Sequence, residues 1–250
     1  MTTALYVMSA LLGLVIGSFL NVVIYRAPRR QSIVRPGSHC PACNAPISWH
    51  DNVPVVSWIL LRGKCRHCRE SISVRYPLVE SLTAVLFVLA ALVLGLQARL
   101  LLAWAFIAVL IVLAFIDLDH LIIPDRIVLP AAGVGLAAAV ALDPGRWWHY
   151  VVAGLGAGGF LLIVALLSGG GMGMGDVKLS LLLGFVLGVE VIVAMFAAFL
   201  LGGIVGIALL ALGKRSRKDR IPFGPFLGAG GIIGLFVGTP LMEWYWSLVV

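Results

Sequence analysis

Residues 177–213 read "VKLSLLLGFVLGVEVIVAMFAAFLLGGIVGIALLALG", an apolar run in which only Lys178 and Glu190 carry charge. An α-helix needs about 20 such residues to cross the hydrocarbon core of a bilayer, so the run is too long for one crossing. The chain is expected to turn within it, and Gly188 with Glu190 marks the place: a glycine that lets the backbone reverse, next to a carboxylate that prefers water. The side of the membrane on which every later segment emerges depends on that turn.

Working outward from it, comparable apolar runs occur at about 4–24, 78–96, 100–116, 127–142, 151–168, 177–189, 191–212 and 225–247. Of 250 residues, 61% are hydrophobic and 12% charged, against about 25% charged in an ordinary soluble domain. The short alternating segments of a membrane-spanning barrel are missing. The expected fold is therefore an all-α polytopic membrane protein of about eight transmembrane helices with a small polar loop module, which the charges below place in the cytoplasm and the cysteines below mark as zinc-binding. Its parts are a first helix in 1–24, the loop module in 25–77 and a helical bundle in 78–250.

The net charge of +7 reports topology rather than nucleic-acid binding. Lys and Arg collect in cytoplasmic loops of polytopic proteins. With eight spans, loop 25–77, Arg126, Lys178 and "KRSRKDR" at 214–220 place sixteen of the 18 basic residues on one side, leaving only Arg99 and Arg146 on the other. Seven spans would put "KRSRKDR" outside. The first apolar run has its basic residues after it, the reverse of a cleavable signal peptide, so it is expected to be retained with its N-terminus outside.

All four cysteines lie in the long loop, as "CPAC" (Cys40, Cys43) and "CRHC" (Cys65, Cys68). Two CxxC pairs at this separation form a four-thiolate zinc pattern, each short turn aiming two sulfurs at one tetrahedral ion. Disulfides are the alternative, but the topology puts the loop in the reducing cytoplasm, where structural disulfides are rare. A closed shell leaves no place for substrate, so the ion is structural. It supplies folding energy to a loop with little core of its own. His39 and His67 stand beside ligand cysteines without being needed. Trp49, Trp58 and "RYP" at 75–77 are expected to pack the module against the membrane surface.

Acidic residues at membrane depth are costly and therefore mark function. "FIDLDHLIIPD" holds Asp117, Asp119 and Asp125, and "GMGD" ends in Asp176. Span counting puts Asp117 at the end of the third helix and Asp176 at the start of the sixth, both on the cytoplasmic side. Two neighbouring carboxyls cannot both ionise easily, so one keeps its proton while the other acts as base on a water. Plainer roles compete: Asp125 has the context of a turn and helix cap, Asp176 of an N-cap, and Asp119 with His120 of a solvated interface or of support to Asp117. Glu80, Glu190 and Glu243 are expected at the interface, and Asp51, Asp143 and Asp219 in water.

Taken in order, "GSFLNVVIYR" (17–26), the two CxxC pairs, "SVRYPLVE" (73–80), "IDLDHLIIPD" (116–125), "GMGD" with "VKL" (173–179) and "IPFGPFL" (221–227) resemble the bacterial type IV prepilin peptidases. The resemblance covers most of the chain. It implies an intramembrane aspartic protease of the GxGD kind at the cytoplasmic face of the inner membrane, acting on prepilins and pseudopilins. It makes Asp117 and Asp176 the catalytic pair. It also implies methylation of the new N-terminal amine with S-adenosylmethionine, although no methyl-donor motif is recognisable. "IPFGPFL" is either a gate beside the site or a break before the last span. The alternatives are a proton- or ion-coupled transporter using the same carboxylates, which would need polar residues across the whole bilayer, and an assembly protein docking through the zinc loop.

Overall fold

The structure, a computed structural model, describes residues 2–168, 171–213 and 221–249. "KRSRKDR" and two glycines of the "GGG" run, Gly169 and Gly170, lie outside the described residues. The chain divides into two compact units, Met1–Leu100 and Leu101–Val250.

In the first unit, α1 (Thr2–Arg26) packs antiparallel to α3 (Arg75–Leu94). The approach depends on small residues. A Cβ at Gly13 would fall 2.5 Å from the Ala84 Cα, and one at Gly17 would fall 2.7 Å from the Glu80 Cα. Such contacts drive helix association in lipid, where burial of apolar surface gives no advantage. The cysteine loop leaves α1 and returns to α3. It contains a 3₁₀ turn at Trp49–Asn52 and a short helix, α2 (Val56–Leu60).

Three buried polar side chains fix this region, two tying the loop to the helices and one tying the start of α3 to α1. Arg26 donates to the carbonyls of Ser32 (3.0 Å) and Gly37 (3.3 Å), and Asn21 donates to the carbonyl of Tyr76 (3.1 Å). Glu80, expected at the interface, is instead buried and accepts the Val55 N–H at 2.7 Å. That bond holds Val55 at φ 62, a conformation a β-branched residue rarely adopts.

The second unit is a bundle of α4 (Ala98–His120, whose first residues belong to the first unit), α5 (Asp125–Leu142), α6 (Trp147–Leu167), α7 (Met174–Leu187), α8 (Val191–Ala211) and α9 (Gly224–Val249). Its core gathers leucines of α4, α6 and α7, among them Leu110, Leu113, Leu161, Leu179 and Leu183. Helices α6 and α7 run antiparallel and very close: Gly154 faces Phe185, Gly158 faces Leu181, and a Cβ at Gly184 would sit 2.5 Å from the Gly154 Cα.

The α7–α8 region decides the number of spans. Along α9, Gly231 meets Leu183 and Gly234 meets Leu187, so α7 runs parallel to it. Gly230 meets Ala198 and Gly238 meets Glu190, so α8 runs antiparallel. The chain therefore reverses at the 3₁₀ turn Gly188–Glu190, where Gly188 takes φ 68. Among the described residues, seven stretches are long and apolar enough to cross a membrane. One of them, Met174–Ala211, is this folded pair. That leaves eight long helices in a multi-pass membrane protein, as the sequence led us to expect.

Candidate active site and metal centre

Helix α4 continues four residues beyond its expected end, which puts Asp117 in its last turn rather than at its end. The helix stops where Leu121 takes φ 53, its N–H bonded to the Asp117 carbonyl at 2.9 Å. The reversed chain then carries Ile123 onto Gly175, where a Cβ would fall 2.8 Å from the Ile123 Cβ. Only a glycine fits there, and the contact seats the first turn of α7 against the segment that follows Asp117. Asp176 is in that turn. Its N-cap is Gly173, and Asp176 stands at the third helical position, where its carboxyl accepts the Gly173 N–H as well as facing Asp117.

Asp117 and Asp176 are both buried, 5% and 8% exposed, and their carboxyl groups lie within electrostatic reach of each other. Asp117 also accepts the backbone N–H of Gly224 on Oδ2 at 2.8 Å, and this bond is buried. Gly224 is the first residue of α9, so the amide-rich end of a third helix points at this carboxyl. In sequence Gly224 is part of "IPFGPFL", where prolines flanking a glycine suggested a gate or break but not a ligand to Asp117.

The remaining acids separate from the pair. Asp125 begins α5 and forms a 2.6 Å ion pair with Lys178, linking α5 to α7. Asp119 is exposed and His120 partly buried. Glu190 accepts a bond from Thr239 in the α7–α8 turn.

The four cysteines converge. Their sulfurs all lie within 4.8 Å of one another, with Cys40 and Cys68 3.8 Å apart. A tetrahedral zinc with Zn–S bonds of about 2.3 Å requires S···S edges of about 3.8 Å, so the donor set fits the ion. Neither His39 nor His67 joins this cluster. Among these neighbouring thiols, N–H groups of Cys68 and His67 pull Cys65 down while, against the Glu70 N–H, burial and the adjacent sulfurs push Cys68 up, so Cys65 gives up its proton before Cys68.

The cluster is built by a repeat that the sequence reading missed. "SHCPACNAPI" (38–47) and "GKCRHCRESI" (63–72) form the same knuckle 25 residues apart. Cys40 N–H bonds the Ala45 carbonyl as Cys65 N–H bonds that of Glu70, Asn44 N–H bonds Cys40 as Arg69 N–H bonds Cys65, and Ile47 N–H bonds Ser38 as Ile72 N–H bonds Gly63. Asn44 (φ 55) and Arg69 (φ 63) take the same left-handed turn. Few side chains besides the cysteines and isoleucines match, so the repeat is visible mainly in the backbone.

Around the knuckles, Asp51 does not remain in water. It is 11% exposed and held by a two-bond fork from Arg66, at 2.8 and 2.5 Å, which keeps its carboxyl below the usual carboxylate range. Trp58 packs over Gly63 and donates to the Ile72 carbonyl at 3.0 Å, so it stabilises the second knuckle from within, whereas Trp49 is exposed.

Comparison with known proteins gives this arrangement its relatives. Residues 11–94 match the Bacterial Peptidase A24 N-terminal domain and residues 104–207 the Type IV leader peptidase family. The chain belongs to the type IV leader peptidase family. It is 38% identical, over 96% of its length and 93% of the relative, to a prepilin leader peptidase/N-methyltransferase of Aeromonas salmonicida (strain A449). It is 35% identical to one of Bacillus subtilis (strain 168), covering 93% of this chain and 94% of that one. A third, from Legionella pneumophila, is 34% identical over 96% and 94%. No solved structure matches. The leader peptidase family is a protease family, so the chain is an enzyme and a transporter reading has no support.

Proposed function

We propose that the protein removes the leader peptide of type IV prepilins and pseudopilins at the cytoplasmic face of the inner membrane, and N-methylates the residue exposed by the cut. The observation that carries this reading is the buried pair Asp117 and Asp176, brought within reach of each other from two helices in a member of a leader peptidase family. In the reaction, the ionised carboxyl takes a proton from water, which attacks the scissile carbonyl, while the protonated carboxyl polarises that carbonyl's oxygen. The leaving amine is then protonated and the pair returns to its starting state. Which aspartate plays which part changes during such a cycle.

The position of the pair near helix ends suits a substrate with a basic leader in water and an apolar helix in lipid. Basic residues of loop 25–77 favour the cytoplasmic orientation and contact with anionic lipid rather than with the basic leader. Cys40, Cys43, Cys65 and Cys68 would hold one structural zinc ion, which closes the loop between α1 and α3 and leaves no coordination site for substrate. S-adenosylmethionine, the donor implied by the resemblance, supplies an electrophilic methyl group when bound. Neither the sequence nor the first unit's geometry marks residues for it. Incubation of membranes carrying the protein with a prepilin, followed by mass measurement of the product, tests both activities. Loss of the leader with or without a further 14 Da (the mass of CH₂) separates peptidase from methyltransferase, and an unchanged mass rejects the proposal.

A further inference from the structure

An open apolar groove of about 480 Å³ runs between α6 and α8. Trp148, Val152, Gly156 and Phe160 form one wall, and Ile192 and Met195 the other. Its depth is set by the α6–α7 register: Ser180 Oγ lies 3.3 Å from the Ala157 carbonyl and Gly158 faces Leu181. With the helices antiparallel, Phe160 stands at about the level of Asp176. From there the groove extends to Trp148, about 18 Å away at 1.5 Å per residue.

The end at Phe160 connects to the aspartates. The Phe160 ring meets that of Phe199 edge-on at 6.1 Å, and Phe199 meets Phe223 at 5.3 Å. Phe223 immediately precedes Gly224, whose N–H is bonded to Asp117. A row of rings thus leads from the groove to the carboxyl pair. Along the groove, Ala153, Gly156 and Ala157 are small enough for another helix backbone to come close.

We propose that this groove seats the apolar helix of the substrate, with its leader-proximal end at Phe160 and its chain passing over Phe199 and Phe223 to Asp117 and Asp176. The proposal rests on the peptidase reading and names how that substrate is held. A lipid tail can cover any apolar face, but a continuous aromatic path ending at the reactive carboxyls, at matching depth, is what a helix with one end to be cut requires.

Gly156 gives a clean test, because a Cβ there meets nothing within 4 Å and a longer side chain would enter the groove that Gly156 lines. Gly156→Leu should raise KM for a membrane-embedded prepilin about tenfold with kcat within about twofold, as expected for lost uniform binding. Gly133→Leu on α5 also points into open space but does not line the groove, and should change neither. Benzoylphenylalanine placed at position 156 should crosslink to the prepilin's apolar segment. A wild-type KM for Gly156→Leu, or crosslinks to lipid alone, overturns the proposal. If the wild-type protein leaves prepilin uncut, the peptidase reading fails, and the crosslink still decides whether the helix occupies the groove.

Discussion

The backbone N–H of Gly224 donates to Oδ2 of Asp117 at 2.8 Å, joining the first residue of α9 to the last turn of α4 across more than a hundred positions of sequence. The glycine is needed for this contact, since a Cβ would fall 2.7 Å from that oxygen and 3.1 Å from the carboxyl carbon. Gly224→Ala should therefore turn the Asp117 carboxyl and lower kcat for prepilin cleavage by about a hundredfold, the scale of loss for a group displaced by about 1 Å. Steady-state kinetics with a purified prepilin measures it, and an unaltered kcat would show that the bond does not position Asp117.

The two links between the α4–α5 connection and α7 should differ sharply in importance. The Lys178–Asp125 pair is partly exposed, and such pairs contribute at most about 1 kcal/mol, so Lys178→Met should move the melting temperature only slightly. Gly175→Val instead forces Cβ into Ile123 and pushes away the turn that carries Asp176; it should cost about 1–3 kcal/mol of stability and most of the cleavage activity. Melting curves in detergent together with cleavage rates separate the two.

Metal content tests the knuckles. Wild-type protein should contain one zinc per chain by elemental analysis, and Cys40→Ser should lose it because the shell no longer closes. The loop between α1 and α3 should then become protease-sensitive, and methylation should fall more than cleavage. Unchanged zinc in Cys40→Ser would contradict the four-thiolate site.

Asp51 provides a pH signature outside the membrane. Arg66 holds its folded carboxyl below the usual range, so the group adds stability that is fully present above the unfolded pKa and is lost as pH falls through the lowered folded value. Zinc retention against a chelator should thus be better in wild type than in Asp51→Asn at neutral pH, and the difference should vanish in strong acid. A gap that widens on acidification would reverse the assigned sign.

Much of this was legible in the residues because membrane helices obey few rules. Apolar run lengths gave the spans, and the placement of Arg and Lys gave a parity that agrees with the reversal at Gly188. The cysteine spacing gave the cluster, because two CxxC turns have few ways to use four thiolates. What escaped depends on tertiary contact. Nothing local marks the Gly224 amide as a partner of Asp117, and Glu80 looks interfacial until Val55 is found on it. Asp51 looks solvated until Arg66, fifteen residues away, returns to it. The knuckle repeat was hidden because backbone hydrogen bonds conserve a shape that side chains need not.

The central claim is that Asp117 and Asp176 together perform the hydrolysis, and its most direct test is mass measurement of prepilin after incubation with Asp117→Asn and Asp176→Asn proteins that still insert and retain zinc. Each variant should leave the prepilin at full mass while wild type removes the leader. Cleaved product from either variant, at a rate near that of wild type, would contradict the account.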